Sequence, residues 1–317
     1  MDVGLMVEGQ NGLSWERWRH ILALAERLGL PSVHRSDHYF ISASMQQSSI
    51  EAYLSLAVAA VETSRIRFGP LVSPVTFRQP VEVARMAAQL DLLSGGRFKL
   101  GVGAGWNEAE HAAYGLAFPP PKERLDRLEE ALRLMRALWT QEEATTEGRY
   151  YSVRGAKLLP KPPAGRPWVT IGGAGERRTL RLVAEHADEW NCVALTPEVY
   201  AAKSAVLERH CAELGRDPGT IRRSMMIFGA VGATEQDVER GLERLAPGRG
   251  GDGGSAELRQ RLRGRGMLVG TTDEVVEQLG RLADVGVQEV QVQHLDFDSD
   301  DVPAFLAEEV APRVAGL

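Results

Sequence analysis

Eight short apolar runs alternate with amphipathic helical segments along the 317 residues, and this alternation constrains the fold more than any other feature. The runs are Val3 to Val7, Ser32 to Ser36, Ile66 to Val72, Phe98 to Gly103, Trp168 to Gly173, Glu189 to Ala194, Ser224 to Val231 and Val287 to Leu295. Each is short enough for a strand, and each is followed by a stretch with apolar residues at helical spacing. Ser14 sits where the first helix needs an N-cap, and Gly29 where it must stop. Pro80 opens a later helix at a first-turn position and Gly95 closes it. Strand–helix alternation makes the strands parallel, because each helix carries the chain back across the outside. Eight such units predict an α/β fold, a (β/α)8 TIM barrel spanning residues 1–317 as one domain.

The length exceeds that of a minimal barrel, and two insertions account for the excess. Residues 144–167, before strand five, predict a hairpin followed by a proline-rich connector. Residues 233–267, after strand seven, carry the glycine-rich run "PGRGGDGGS" and predict a mobile lid.

Composition excludes several classes of function. Net charge is −6, and phosphate-backbone binding needs a basic face, so nucleic acid is not an expected partner. No apolar run is long enough to span a bilayer, and the first residues do not read as a signal peptide, so a cytoplasmic, membrane-free protein is expected. Two cysteines, Cys192 and Cys211, are too few for a disulfide framework and are expected in packing. The histidines lack metal-ligand spacing, so no metal is expected.

In a barrel of this type the site lies at the C-terminal ends of the strands. Those ends offer Glu8, Asp37, His38, Ser73, the loop Gly103 to Trp106, the loop Gly172 to Gly175, Asn191 and His294. His38 is a candidate hydrogen-bond donor or proton shuttle near neutral pH. "GVGAGW" lacks the last glycine of a dinucleotide fingerprint, since Trp106 stands there. "IGGAGERRTL" places Gly172, Gly173 and Gly175 between a strand and a helix, a setting that attracts anions, with Arg177 and Arg178 in the first turn. There is no Walker motif, no zinc-protease motif and no nucleophile elbow.

The stretches "SDHYF", "LVSPVTFRQPVEVARMAAQLDLLSGGRFKLGVGAGWNEAEHAAYG", "FPPPKERLDRLEEALRLMRALW" and "IGGAGERRTLRLVAEHADEWN" resemble the bacterial luciferase-like flavin/deazaflavin oxidoreductases. The likeness is greatest to the branch assigned to coenzyme F420. The resemblance implies a (β/α)8 barrel that moves hydride to or from a small organic substrate on F420. The alternative is a monooxygenase using reduced FMN and oxygen. It places Asp37 and His38 near the reactive face. Pro70, Leu71, Ser73, Gly103, Ala104 and Gly105 would back the cofactor ring. Gly172, Gly173, Ala174, Gly175 and Arg177 would hold its phosphate, with Trp190 and Asn191 closing the pocket. Glu8, Tyr39 and Trp106 would line the substrate side. It also implies a non-proline cis peptide, aligned at Pro70–Leu71, and a homodimer. Trp106 stands where a sugar-phosphate dehydrogenase branch has an acid, which argues against sugar-phosphate oxidation. Glu108 and Glu110 lie nearby and are expected to turn into the following helix.

Overall fold

A computed structural model describes residues 1–42, 46–249 and 255–317. Its centre is a parallel sheet of β1 (Asp2–Val7), β2 (Ser32–Arg35), β3 (Arg67–Pro70), β4 (Ser73–Pro74), β5 (Lys99–Gly103), β8 (Trp168–Gly172), β9 (Glu189–Val193), β10 (Arg222–Ile227) and β13 (Glu289–His294). The hydrogen-bonded order is β3-β2-β1-β13-β10-β9-β8-β5-β4. β3 and β4 are the two halves of the third barrel strand. The first half pairs with β2 and the second with β5, and a bridge from Phe68 to Phe98 joins the same two staves. The sheet therefore closes into the eight-membered barrel that the alternation implies.

β6 (Ala144–Thr146) and β7 (Val153–Ala156) form the antiparallel hairpin of the first insertion. After β10 the chain continues as β11 (Gly229–Val231), which pairs in parallel with β12 (Leu268–Gly270). The α-helices are α1 (Trp15–Leu28), α2 (Ala52–Glu62), α3 (Pro80–Ser94), α4 (Glu108–Ala113), α5 (Pro121–Thr140), α6 (Thr179–His186), α7 (Pro197–Leu214), α8 (Glu235–Arg249), α9 (Ser255–Arg263), α10 (Thr272–Asp284), α11 (Asp301–Ala304) and α12 (Ala311–Val314), the last two joined by a π-helical stretch, Phe305–Val310. Local signals set their ends. Ser14 accepts a hydrogen bond from the Arg17 amide, and Gly29 and Gly95 terminate α1 and α3 at φ 74° and 67°, where a side chain would be strained.

The second insertion differs from the loop expected of it. Its described residues are mainly helix, with a small apolar core of their own that includes Val238, Leu242, Leu258, Leu262 and Val269. The i, i+4 pairs Val238/Leu242 and Leu258/Leu262 carry that core. The central glycine run, 250–254, lies outside the described residues.

Strand alternation divides the barrel into two environments. Outward residues such as Leu5, Val33, Phe68, Leu100, Ile171 and Val290 are buried against the helices. Inward positions are unusually polar for a barrel, whose interior is commonly branched aliphatic. At the N-terminal ends of the strands, Lys99 Nζ lies 2.7 Å from Glu189 Oε2 and 3.4 Å from Glu289 Oε2. Arg222 Nε donates to Glu289 Oε2 at 3.0 Å, and Ser224 Oγ to Glu189 Oε1 at 2.6 Å. This ionic layer forms the floor. Above it, Asn191 Nδ2 donates to Ser224 Oγ (2.9 Å) and Gln291 Oε1 (3.1 Å). The floor closes this end of the barrel and leaves the opposite end for a candidate site.

Candidate active site

The loops after β2 and β5 bring a histidine and a carboxylate together. His38 Nδ1 donates to Glu110 Oε1 at 2.8 Å, and Glu110 Oε2 accepts from the Tyr39 amide at 3.0 Å. Glu110 is fully buried, so both of its oxygens need partners, and both have them. Burial disfavours a charged His38, but the Glu110 hydrogen bond and charge, with Glu8 and Asp37 beyond, outweigh it and raise its pKa above 6.5. The geometry fixes which ring nitrogen faces Glu110. Nε2 has no protein partner among the described residues. The Trp106 indole meets the His38 ring edge-on, with centroids 5.4 Å apart.

Asp37 is not an available base. Ser73 Oγ donates to its Oδ2 at 2.6 Å, and Arg78 grips both oxygens, with Nη2 at 3.1 Å from Oδ1. Arg78 also binds Glu51 at 2.7 Å and lies over the Tyr53 ring. Tyr53 OH closes the set on Ser73 at 3.0 Å. Asp37, and with it the loop carrying His38, is held from below. Glu8 is similarly engaged: Gln10 Nε2 donates to it at 2.6 Å and Gln293 Nε2 donates to its other oxygen.

Several expected site residues sit elsewhere than the resemblance implied. The non-proline cis peptide is Leu71–Val72, one residue past the alignment at Pro70–Leu71. Pro70 is still regular strand, paired with β2. Trp190 is wholly buried on the outer face of β9, its ring stacked on Tyr200 at 5.0 Å and its Nε1 donating to Gly173 O at 2.7 Å. It braces the glycine loop from behind and does not close a pocket. Asn191, its neighbour, points into the barrel and is spent on Ser224 and Gln291. Alternation along β9 forces the two to opposite sides. His294 is also buried, near Phe297, and burial lowers its pKa to about 4.

The glycines serve a purpose the sequence did not reveal. A Cβ on Gly103 would come within 2.8 Å of the Val72 side chain, and one on Gly172 within 3.0 Å. A Cβ on Gly101 would lie 2.1 Å from Pro70 O and 3.0 Å from Val72. Three glycines from two strands thus make the slot that Val72 fills. Val72 then joins Met6, Leu71, Met226 and Phe228 in an apolar cluster. Gly105 does need its conformational freedom, at φ 81° beside Thr76 and His111. Ala104 and Trp106 complete that loop, with the indole 62% exposed. Because the obstacle at Gly101 includes backbone, Gly101→Ala should cost about 2–3 kcal/mol. Urea denaturation would check it, and a loss under about 0.5 kcal/mol would mean that the staves move apart readily.

The loop after β8 opens a cleft of about 460 Å³ whose lining includes Leu125, Gly175, Arg177, Thr179 and Lys203. The two arginines separate here. Arg178 is held by Asp126 and Glu129 of α5, whereas Arg177 is exposed and has no side-chain partner among the described residues. Lys203 pairs with Glu176 at 2.7 Å. An unpaired guanidinium beside a helix N-terminus is a donor set for an anion. Ala174 and Gly173 lead into this cleft, Gly173 at φ 121°.

A sequence profile of luciferase-like monooxygenases matches residues 1–289. The chain belongs to this family. Within it, an F420-dependent glucose-6-phosphate dehydrogenase of Beutenbergia cavernae is 32% identical over 324 residues, 92% of this chain and 91% of that protein. An uncharacterized protein of Mycobacterium tuberculosis is 38% identical over 142 residues. That match takes in 45% of this chain and spans only about half, 49%, of the relative. Among solved structures, an F420-dependent secondary alcohol dehydrogenase in complex with an F420-acetone adduct superposes with TM-score 0.79 at 21% identity, covering 99% of this chain and 98% of that one. A long-chain alkane monooxygenase superposes at 0.82 and 16% identity, covering 100% and 91%. At such identities the two structures establish the shared barrel.

Glu110 and Val72 are the positions of the candidate site that sequence reasoning missed. Glu108 and Glu110 stand two apart at a helix start, so they point to different sides, and one of them had to face the barrel. Nothing local distinguished which.

Proposed function

We propose that this protein is an oxidoreductase that uses the deazaflavin coenzyme F420 to pass hydride to or from a small organic substrate at the open end of the barrel. The observation that carries the reading is the His38–Glu110 pair, a half-buried imidazole fixed at Nδ1, with Nε2 left without a protein partner among the described residues. Support also comes from relatives named as F420-dependent that align over nine-tenths of the chain. The residues present fit the coenzyme's chemistry. Val72 and Phe228, partly exposed over the buried Met6, Leu71 and Met226, would offer an apolar face for a flat ring, and Arg177 with the α6 N-terminus would take a phosphate. When bound, the coenzyme supplies the ring carbon that gives or receives the hydride. The protein's own part is to orient the reactants, exclude water and hold a proton on His38 near the reacting oxygen.

The test is a fluorescence titration of the purified protein with F420 and, separately, with FMN. F420 should bind at least tenfold more tightly. The reverse order would move the reading to a monooxygenase that takes reduced FMN and oxygen, and binding of neither would overturn both. Arg177→Ser should weaken F420 about tenfold while leaving the affinity for a phosphate-free deazaflavin unchanged. Equal losses for both ligands would remove Arg177 from the phosphate site.

A further inference from the structure

We propose that the substrate is an uncharged, ring-bearing ketone or alcohol, bound on an aromatic ledge in which Trp106 is the residue that sets specificity. The inference rests on the oxidoreductase reading above and narrows it to a substrate class. Two observations carry it.

The first is charge. Glu8, Asp37, Arg78 and Glu110 are the ionisable groups around His38, and every one is already bound to a protein partner. Arg78 in particular, the one cation of this set, is shared between Asp37 and Glu51. A phosphate or carboxylate on the substrate would find no unpaired cation among them and would have to break a buried pair to gain one. The unpaired Arg177 belongs to the separate cleft at the start of α6.

The second is shape. Large aromatic side chains are left exposed beside His38. The Trp106 indole is 62% exposed and Tyr114 47%. Tyr39 stacks on Tyr114 with centroids 4.1 Å apart and leans on Phe77 at 5.0 Å. The exposed Trp106 indole against the His38 ring, and the Tyr39–Tyr114 stack that begins at the next residue, offer flat π-faces to a flat ligand. His38 Nε2 then supplies one hydrogen bond, which suits a single carbonyl or hydroxyl oxygen. Trp106 is the member of the ledge in direct ring contact with His38.

The experiment reads binding without turnover. The full-length protein, with and without F420, is titrated with the bicyclic ketone 1-tetralone and with glucose 6-phosphate while tryptophan fluorescence is followed. Trp106 is the most exposed of the six tryptophans, so quenching there dominates the response. Calorimetry repeats the titration for Trp106→Phe and Trp106→Ala, substitutions at an exposed position that leave the fold intact. Tetralone should bind saturably, Trp106→Phe should hold affinity to within a few-fold, and Trp106→Ala should lose about tenfold. Glucose 6-phosphate should give no saturable signal. Saturable binding of glucose 6-phosphate in place of tetralone would overturn the proposal, as would a Trp106→Ala variant that binds tetralone as tightly as the parent. Tetralone binding in a protein that ignores F420 would instead overturn the cofactor reading and leave the ledge standing.

Discussion

Replacing His38 by alanine should lower kcat by about a hundredfold to ten-thousandfold while leaving coenzyme affinity within a few-fold. That is the range general acid–base groups contribute, and His38 is the titratable side chain of the candidate site with a ring nitrogen unclaimed among the described residues. Glu110→Gln should be milder and more informative. Glutamine can still accept the Nδ1 hydrogen bond, but the negative charge is gone. Burial then dominates, the His38 pKa falls, and the imidazole loses its proton at a lower pH than in the parent. Observing the His38 ring protons by NMR as pH is varied reads this directly, with no substrate required. An unchanged titration in Glu110→Gln would show that the carboxylate only packs against the ring. An unchanged kcat in His38→Ala would remove the histidine from the chemistry.

The second large effect lies at the other end of the barrel. Lys99→Met should destabilise the protein by about 3–5 kcal/mol. The substitution keeps the aliphatic volume but leaves the buried Glu189 and Glu289 without the ammonium they share. Their mutual repulsion in a low-dielectric interior then has only Arg222 to offset it, and Arg222 reaches Glu289. Adding Glu189→Gln should recover part of the loss, because it removes the charge that Lys99 had balanced. The two substitutions are therefore expected to be non-additive. The pH dependence has a definite sign. Burial opposes ionisation of Glu289, but Lys99, His34 and the other donors around it win, and its pKa falls from 4.5 to about 2. Its stabilisation is present above the unfolded value and is lost as pH drops toward 2. His34 is buried too, and burial with the Lys99 charge lowers its pKa from 6.5 to about 4. The unfolded chain takes up that proton first, so this group also withdraws stability as pH falls below about 6.5. Stability should decline on the acid side from near neutrality. In Lys99→Met the carboxylate part of that decline should shrink and end at a higher pH, since without Lys99 the Glu289 pKa moves up toward its unfolded value. Denaturant titrations at neutral and acid pH check both statements. A loss below about 1 kcal/mol for Lys99→Met would mean that water reaches the floor.

Most of the architecture was legible in the residues. The eight apolar runs became the eight barrel staves, and Ser14, Gly29, Pro80 and Gly95 set the helix ends anticipated for them. Hydrophobic periodicity and capping act within one or two turns of chain, so a short window contains the whole signal. The hairpin before strand five was readable for the same reason. The helical pair after strand seven was not legible because the glycine run splits it into two segments, each with a single i, i+4 apolar pair, too short a pattern to outweigh the loop signal between them.

The site was legible only by address. Position at the C-terminal ends of the strands put His38, Asp37, Trp106 and the glycine loops at one end of the barrel. It did not give their partners. His38 meets Glu110 across 72 residues of sequence, and Lys99 meets Glu189 and Glu289 across 90 and 190. Arg177 and Arg178 are adjacent and chemically identical, yet α5 neutralises one and leaves the other open. Glycines 101, 103 and 172 could be seen in the sequence, but the residue they admit, Val72, could not. The sequence by itself determined the repeating strands and helices and the closed barrel, because these follow from local periodicity repeated eight times. Tertiary structure alone decided which charges are paired, which nitrogen of His38 faces Glu110 and what fills the glycine slot, because those depend on distances between residues that meet only when the sheet closes.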